Sequence, residues 1–299
     1  MRITSARAEY EIQETLRQNG KFGSVYRGIE ISGQNPVIIK QLAAQATPEQ
    51  VIRFSNEFNL AVRHQQLITA IDFFSVNGIY YLIRPYVRGR DASAFIRKQK
   101  ISVSQLFMLA KDILPALHHL HTQGILHTDI KPSNIILSEI DGQLRAYLTD
   151  LGLARHKNTP IHKRPFALLY SPPEQVLQYH SLMNASSDIY STGVTLYELI
   201  SGYNPFKHNN PELAMHLQLT QSPEPLQKKY SAIFKVLQKA TAKPNFVKPP
   251  HHYTKTELEN MLTESMSQRY QSAEEMLVDL HSLRMPPDEL PWWRRWFYT

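Results

Sequence analysis

The stretch Ile125-Leu126-His127-Thr128-Asp129-Ile130-Lys131-Pro132-Ser133-Asn134 decides how this chain is read. It sets an acid, a cation and an amide within six positions, after a helical stretch and before the apolar run Ile135-Ile136-Leu137. Phosphoryl transfer from a nucleotide calls for that set: a carboxylate to orient and deprotonate a hydroxyl, a cation beside the moving phosphoryl group, and a hard oxygen for a metal ion. Sixteen residues past Asn134 comes Asp150-Leu151-Gly152, a second metal-binding carboxylate followed by a flexible glycine.

Bulk properties set the frame. With 299 residues, 42% hydrophobic and 20% charged, the chain is ordinary for a soluble globular protein, long enough for one large two-lobed domain or two smaller ones. No run approaches the about eighteen apolar residues of a membrane span, and the first twenty residues lack the apolar core of a secretory signal. The absence of cysteine excludes disulfides and thiolate metal sites and fits a reducing compartment, so a cytoplasmic location is expected. The net charge of +7 comes from basic residues spread along the chain, with small clusters at Arg155-Lys157, His162-Arg164 and Arg294-Arg295. These are solvated faces, and no nucleic-acid partner is expected.

Upstream of the key stretch, the first eighty-odd residues read as strands with one helix. Alternating apolar residues mark Ser24–Ile31, Pro36–Lys40 is a short β-branched run, and Asn77-Gly78 is a hairpin turn between Thr69–Val76 and Ile79–Arg84. Thr47-Pro48-Glu49-Gln50 starts a helix expected to run to about Arg63. After Tyr86 the pattern turns helical, with Ser104–Thr122 stopped by Gly124, Ser187–Ser201 stopped by Gly202, then Glu224–Ala240 and Ser272–Arg284. Between the last two lies a polar stretch, Pro244–Glu264, whose adjacent His251 and His252 are expected to be loop residues pointing apart.

In this order and spacing the motifs resemble those of eukaryotic-type serine/threonine protein kinases, most of all bacterial members. The resemblance implies an α+β, bilobal kinase fold over residues 10–285: a small strand-rich N-lobe at about 10–86 and a larger helical C-lobe at about 87–285. It also marks 245–265 as an insertion and leaves 286–299 as a tail. It implies ATP and Mg²⁺, with Mn²⁺ able to replace the latter, and protein hydroxyls as substrates. Gly20, Phe22 and Gly23 then belong to the loop over the phosphates, and Lys40 pairs with the α- and β-phosphates, held by Glu57 or, as the alternative, Glu49. Val25 and Ile38 roof the adenine pocket and Ile136 floors it. The Pro85 carbonyl and Val87 N–H meet adenine, and Asp91 meets the ribose. Asp129 takes the substrate proton, Lys131 steadies the γ-phosphoryl group, and Asn134 and Asp150 hold the metal ions. Glu174 is expected to pair with Arg269, and Asp188 to bind main-chain N–H groups of the catalytic loop. This last shell argues for a protein kinase over a small-molecule kinase.

Several positions depart from the family. Gln18 stands where a glycine is usual, Ile38 where alanine is, and Arg84 fills the usually apolar gatekeeper position, where a buried guanidinium needs a partner. Together with Thr128 they motivate the alternative of a scaffolding pseudokinase. Thr128 replaces the arginine that receives an activation-loop phosphate, and Thr159 is the one serine or threonine between Arg155 and Ser171. Activity without loop phosphorylation is therefore expected. Phe166-Ala167 replaces the usual Gly-Thr. Ser133 sits where members that prefer basic peptides carry an acid, and with the basic segment Arg155, Lys157, Lys163 and Arg164 it implies acidic substrates. In the tail, Trp292-Trp293-Arg294-Arg295-Trp296-Phe297 suits packing onto the helical part, peripheral contact with an anionic bilayer, or contact with a protein partner.

Overall fold

Alternation of apolar side chains through the first ninety residues builds a six-stranded sheet, ordered β1-β2-β3-β4-β7-β6. Its strands are β1 (Arg2–Thr4), β2 (Glu9–Gly20), β3 (Gly23–Glu30), β4 (Asn35–Gln41), β6 (Asp72–Val76) and β7 (Ile79–Pro85); the short β5 (Leu67–Ile68) lies apart. In the computed structural model, residues 1–20, 23–157, 159 and 166–283 are described. The Phe22, Lys163, Arg164 and tail expectations lie outside them. Contacts divide the chain into two units, 1–89 with 148–154, and 90–147 with 155 onward.

In the first unit, period-2 geometry sorts side chains between the two faces of the sheet. Ile3, Tyr10, Val37, Ile39, Tyr81 and Ile83 form a buried cluster on one face. Each aliphatic member contributes about 1.5–3 kcal/mol by burial. The register sets Val25 opposite Lys40, Lys40 opposite Leu82, and Ile38 opposite Arg84, so these share the other face. The strand β1, which carries little sequence signal, joins the edge by pairing Ile3 with Tyr10. Behind it, Ser5 Oγ and Tyr10 Oη donate to the buried Asp72 carboxylate at 2.6 and 3.0 Å.

Helix α1 (Pro48–Asn59) begins with the expected Thr47 cap, reinforced by a reciprocal bond from Gln50. It ends about one turn before Arg63, because Ala61 takes a left-handed backbone at φ 48°. That position usually holds glycine, so the stop is silent in the sequence.

The second unit is mostly helical. Strand β8 (Arg90–Asp91) precedes α2 (Ala92–Ile96), α3 (Val103–Thr122), β9 (Ile125–Leu126), β10 (Ile135–Ile140), β11 (Gln143–Thr149) and β12 (Arg155–His156). Then come α4 (Pro173–Val176), α5 (Ala185–Ser201), α6 (Pro211–Thr220), α7 (Ser231–Ala240), α8 (Lys255–Ser267) and α9 (Ala273–Ser282). The central α3 and α5 bury most of their apolar residues.

Three sequence expectations need correction here. Helix α7 starts at Ser231 rather than Glu224, since Pro225 lies in the extended run before it. The polar stretch, to which the sequence reading gave no helix, contains α8, whose Thr254–Glu257 capping box was a legible start signal. His251 and His252 do not point apart; on a tight 3-10 turn their ring centroids are 4.2 Å from each other. Among the described residues no helix is long and apolar enough to cross a membrane.

Candidate active site

The first unit gathers four charged groups on the β4–β7 face. Lys40 Nζ lies 3.3 Å from Glu57 Oε2 and 3.6 Å from Asp150 Oδ2. Glu57 is buried on the inward face of α1, whereas Glu49 is exposed in its first turn; geometry therefore selects Glu57 as the partner of Lys40. Arg84 has two partners: it donates to Thr149 Oγ1 and its Nη1 lies 3.9 Å from Glu57 Oε1.

Asp150 adopts a left-handed backbone, φ 70° and ψ 69°. Gly152 sits close to its neighbours: a Cβ there would be in tight contact with Asp150 Oδ1 at 3.3 Å and would touch the Arg53 carbonyl at 3.4 Å. Asn56 of α1, which the sequence reading passed over, donates to the carbonyls of Leu151, Gly152 and Ala154 at 3.3, 3.4 and 2.7 Å. One amide side chain thus ties the glutamate helix to the aspartate motif. Gly20 and Gly23 close the β2–β3 hairpin, and a Cβ on Gly23 would lie 2.0 Å from the Gln41 carbonyl. Val25 and Ile38 lie half-buried on the Lys40 face. Pro85 ends β7, opposite Val37, and Val87 follows two residues on.

The second unit centres on Asp129. Its Oδ2 accepts from Lys131 Nζ at 2.6 Å and from Asn134 Nδ2 at 2.9 Å. Asn134 Nδ2 also donates to the Asp129 carbonyl at 2.8 Å. Asp129 Oδ1 is buried without a hydrogen-bond partner among the described residues. Ile136 pairs with Asp91 across β10 and β8. The Asp91 carboxylate caps α2 through Ala94 N–H at 2.8 Å, a duty the sequence reading did not assign.

Asp188, in the first turn of α5, holds the loop from beneath. It accepts from the N–H groups of His127 and Thr128, each at 2.8 Å, and pairs with His121 Nε2 at 2.9 Å. Burial pushes its carboxyl up, but the His121 hydrogen bond and charge, His127 and the Thr128 N–H outweigh that and hold it below its ordinary value. Thr128 is left-handed, φ 64°, which is unusual for a β-branched residue. Its N–H is fixed by Asp188 and its carbonyl accepts from Gln175 Nε2 at 3.1 Å. Glu174 and Arg269 form a fully buried bidentate pair at 2.7 and 3.1 Å, with Ser187 Oγ donating to the same carboxylate at 2.8 Å.

Within each unit, then, the sequence motifs come together as chemical clusters. A family model for the protein kinase domain matches residues 10–280. The chain belongs to the protein kinase family. A probable serine/threonine-protein kinase of Plasmodium falciparum is 30% identical over 193 residues, 64% of this chain and 38% of that protein. Rat mitogen-activated protein kinase 12 is 27% identical over 271 residues, 87% of this chain and 71% of that protein. The chain thus spans well under half of the Plasmodium relative's length. The PknI kinase domain of Mycobacterium tuberculosis matches with a TM-score of 0.65 at 21% identity, covering 93% of this chain and 96% of that one, a likeness that shows the fold. The kinase fold, strand-rich first and helical afterwards, is the one expected from the sequence.

One further residue of this kinase domain went unnoticed in the sequence beyond its charge. Arg155 is buried, donating to the carbonyls of Lys157, Thr159 and His180 at 3.2, 3.4 and 2.9 Å. It therefore braces Lys157 and Thr159 against His180 and is not part of an exposed basic surface.

Proposed function

We propose that this chain is an ATP-dependent serine/threonine protein kinase, transferring the γ-phosphoryl group to protein hydroxyls without needing a phosphate on its activation segment. The observation that carries the reading is the orphaned Asp129 Oδ1 beside the Lys131 ammonium. A buried carboxylate oxygen without a partner costs free energy. A substrate hydroxyl that donates there recovers it, and is held where its proton can pass to the carboxylate as the oxygen attacks phosphorus. Lys131, bound to Oδ2, carries positive charge to the transferring group, and Asp188 keeps the loop from shifting as charge moves.

The residues present suit ATP with Mg²⁺. Asn134 spends its NH₂ on Asp129, which leaves its amide oxygen, and Asp150 is a carboxylate whose side chain is 36% exposed. Both are the hard oxygen type that Mg²⁺ prefers, and when bound the ion would neutralise phosphate charge. Lys40, Glu57 and Asp150 of the first unit and Asp129, Lys131 and Asn134 of the second are the residues assigned to the chemistry. The Glu174–Arg269 pair supports a protein substrate, as this anchor belongs to the activation-segment shell.

Independence from loop phosphorylation rests on Thr128 and Arg155. The first is no cation; the second already uses its guanidinium on main-chain carbonyls. Acidic peptides remain the proposed substrate class, drawn by exposed Lys157 and opposed by no acid at exposed Ser133. The test is incubation of the purified protein with labelled ATP, Mg²⁺ and a proteome extract, followed by mapping of the phosphorylated residues. Label on serine or threonine of other proteins supports the reading; transfer to small molecules alone, or none with ATP bound, overturns it.

A further inference from the structure

We propose that Arg84 is a positioning residue, a fixed second cation that keeps Glu57 and the Thr149–Asp150 segment in their working places. The inference rests on the kinase reading above. Register sets Arg84 opposite Ile38, two residues along from the Lys40–Leu82 pair, so its side chain leaves the sheet on the same face as Lys40. Thr149 is placed independently, by parallel pairing with Ile68. Between them the guanidinium donates to Thr149 Oγ1 and approaches Glu57 Oε1 at 3.9 Å. Its side chain is only 15% exposed.

The arrangement answers a charge problem. Glu57 is 2% exposed, and Lys40, its closer partner at Oε2, is shared with Asp150. In the proposed reaction Lys40 stays paired with Glu57 but shares its charge with phosphate oxygens as well as Asp150, so Glu57 has less than one full cation from it. A buried carboxylate left half-compensated would draw α1 out of position. Arg84 prevents this, since a guanidinium stays charged in proteins and its Nη1 reaches both Thr149 Oγ1 and Glu57 Oε1. Glu57 Oε1 has no hydrogen-bond partner among the described residues, so the ion pair with Arg84 is what that oxygen has. An apolar side chain at position 84 would leave it with neither. Through Thr149 the same cation fixes the residue before Asp150, so one side chain braces both the glutamate and the aspartate of the site.

The experiment compares wild type, Arg84→Met, Arg84→Lys, Glu57→Gln and the Arg84→Met/Glu57→Gln pair, each by steady-state kinetics in ATP and by amide hydrogen exchange. Arg84→Met should lower kcat about tenfold or more while the KM for ATP changes less than about threefold. Exchange should rise in residues 48–59 and 149–154, and Arg84→Lys should restore part of both. In the Glu57→Gln background the same Arg84 change should cost less than about threefold, because its partner charge is gone. Unchanged exchange in both segments, or an equal loss of kcat in both backgrounds, would overturn the proposal. If Arg84→Met does not fold, Arg84→Gln, which keeps a donor for Thr149 without the charge, is judged by the same criteria. An inactive wild type would sink the kinase reading, and exchange would still decide whether Arg84 braces these segments.

Discussion

Replacing Glu174 by glutamine should unfold this protein well below its normal melting temperature. Glu174 and Arg269 are both 0% exposed, and the carboxylate accepts two guanidinium bonds as well as the Ser187 hydroxyl. In Glu174→Gln the amide oxygen still accepts one guanidinium bond, but the NH₂ faces the other guanidinium N–H, and Arg269 otherwise has the carbonyls of Ala242 at 2.8 Å and Ser186 at 3.5 Å. One charge-assisted bond lost at about 1.5–3 kcal/mol, with about 1–3 kcal/mol for the buried N–H it leaves unsatisfied, puts the loss at about 2.5–6 kcal/mol. Breaking a buried pair from one side costs about 3–5 kcal/mol by the separate charge argument. Both converge on about 4 kcal/mol. For a cooperative unit of roughly two hundred residues that lowers Tm by about 8–16 °C. Circular dichroism melts and urea titrations of Glu174→Gln, Arg269→Met and the double variant would measure it. The double variant should regain about half of the loss, since no charge is then left buried alone. A single variant within about 1 kcal/mol of wild type, or a double variant less stable than Glu174→Gln, would refute the reasoning.

Asp129→Asn should lower kcat by about a hundredfold or more with ATP affinity retained, measured by peptide phosphorylation and calorimetry, because the orphaned oxygen loses its basicity. Arg155→Ala should reduce activity by releasing the carbonyls of Lys157, Thr159 and His180, whereas Thr159→Ala should leave it near wild type. A large loss in Thr159→Ala that an acidic residue restores would show that a loop phosphate is needed after all. Because the folded Asp188 carboxyl is held below its ordinary value, its contribution to stability is complete above the unfolded value of about 4 and is lost as pH falls through the lowered one. The Tm gap between wild type and Asp188→Asn should therefore narrow in acid below about pH 4, and a gap constant from neutral pH down to about 3 would contradict this.

The sequence by itself determined the family and the strand-rich-then-helical order, and it picked out the candidate residues. His127 to Asn134 lies within a few residues, so local spacing alone brings Asp129, Lys131 and Asn134 together. Periodicity and caps marked β3, β4, α1, α3, α5 and α9, because alternation, helical spacing and capping residues are local properties. Where the stop was an alanine in left-handed geometry, as after α1, or a polar helix with a cap but few apolar residues, as in α8, local pattern misled. What only the tertiary structure decided are the pairings across long chain separations. Strand register alone sets Arg84 on the Lys40 face and Thr149 against Ile68, and so turns an odd gatekeeper into a partner for Glu57. Burial of Arg155 removed it from the basic surface that its charge implied, and the contact of Asn56 with three carbonyls ninety-odd residues away has no signature in composition or spacing. Hydrogen bonds and ion pairs of that kind depend on where the packed chain carries each group, and hydrophobic pattern, which drives the packing, does not name them.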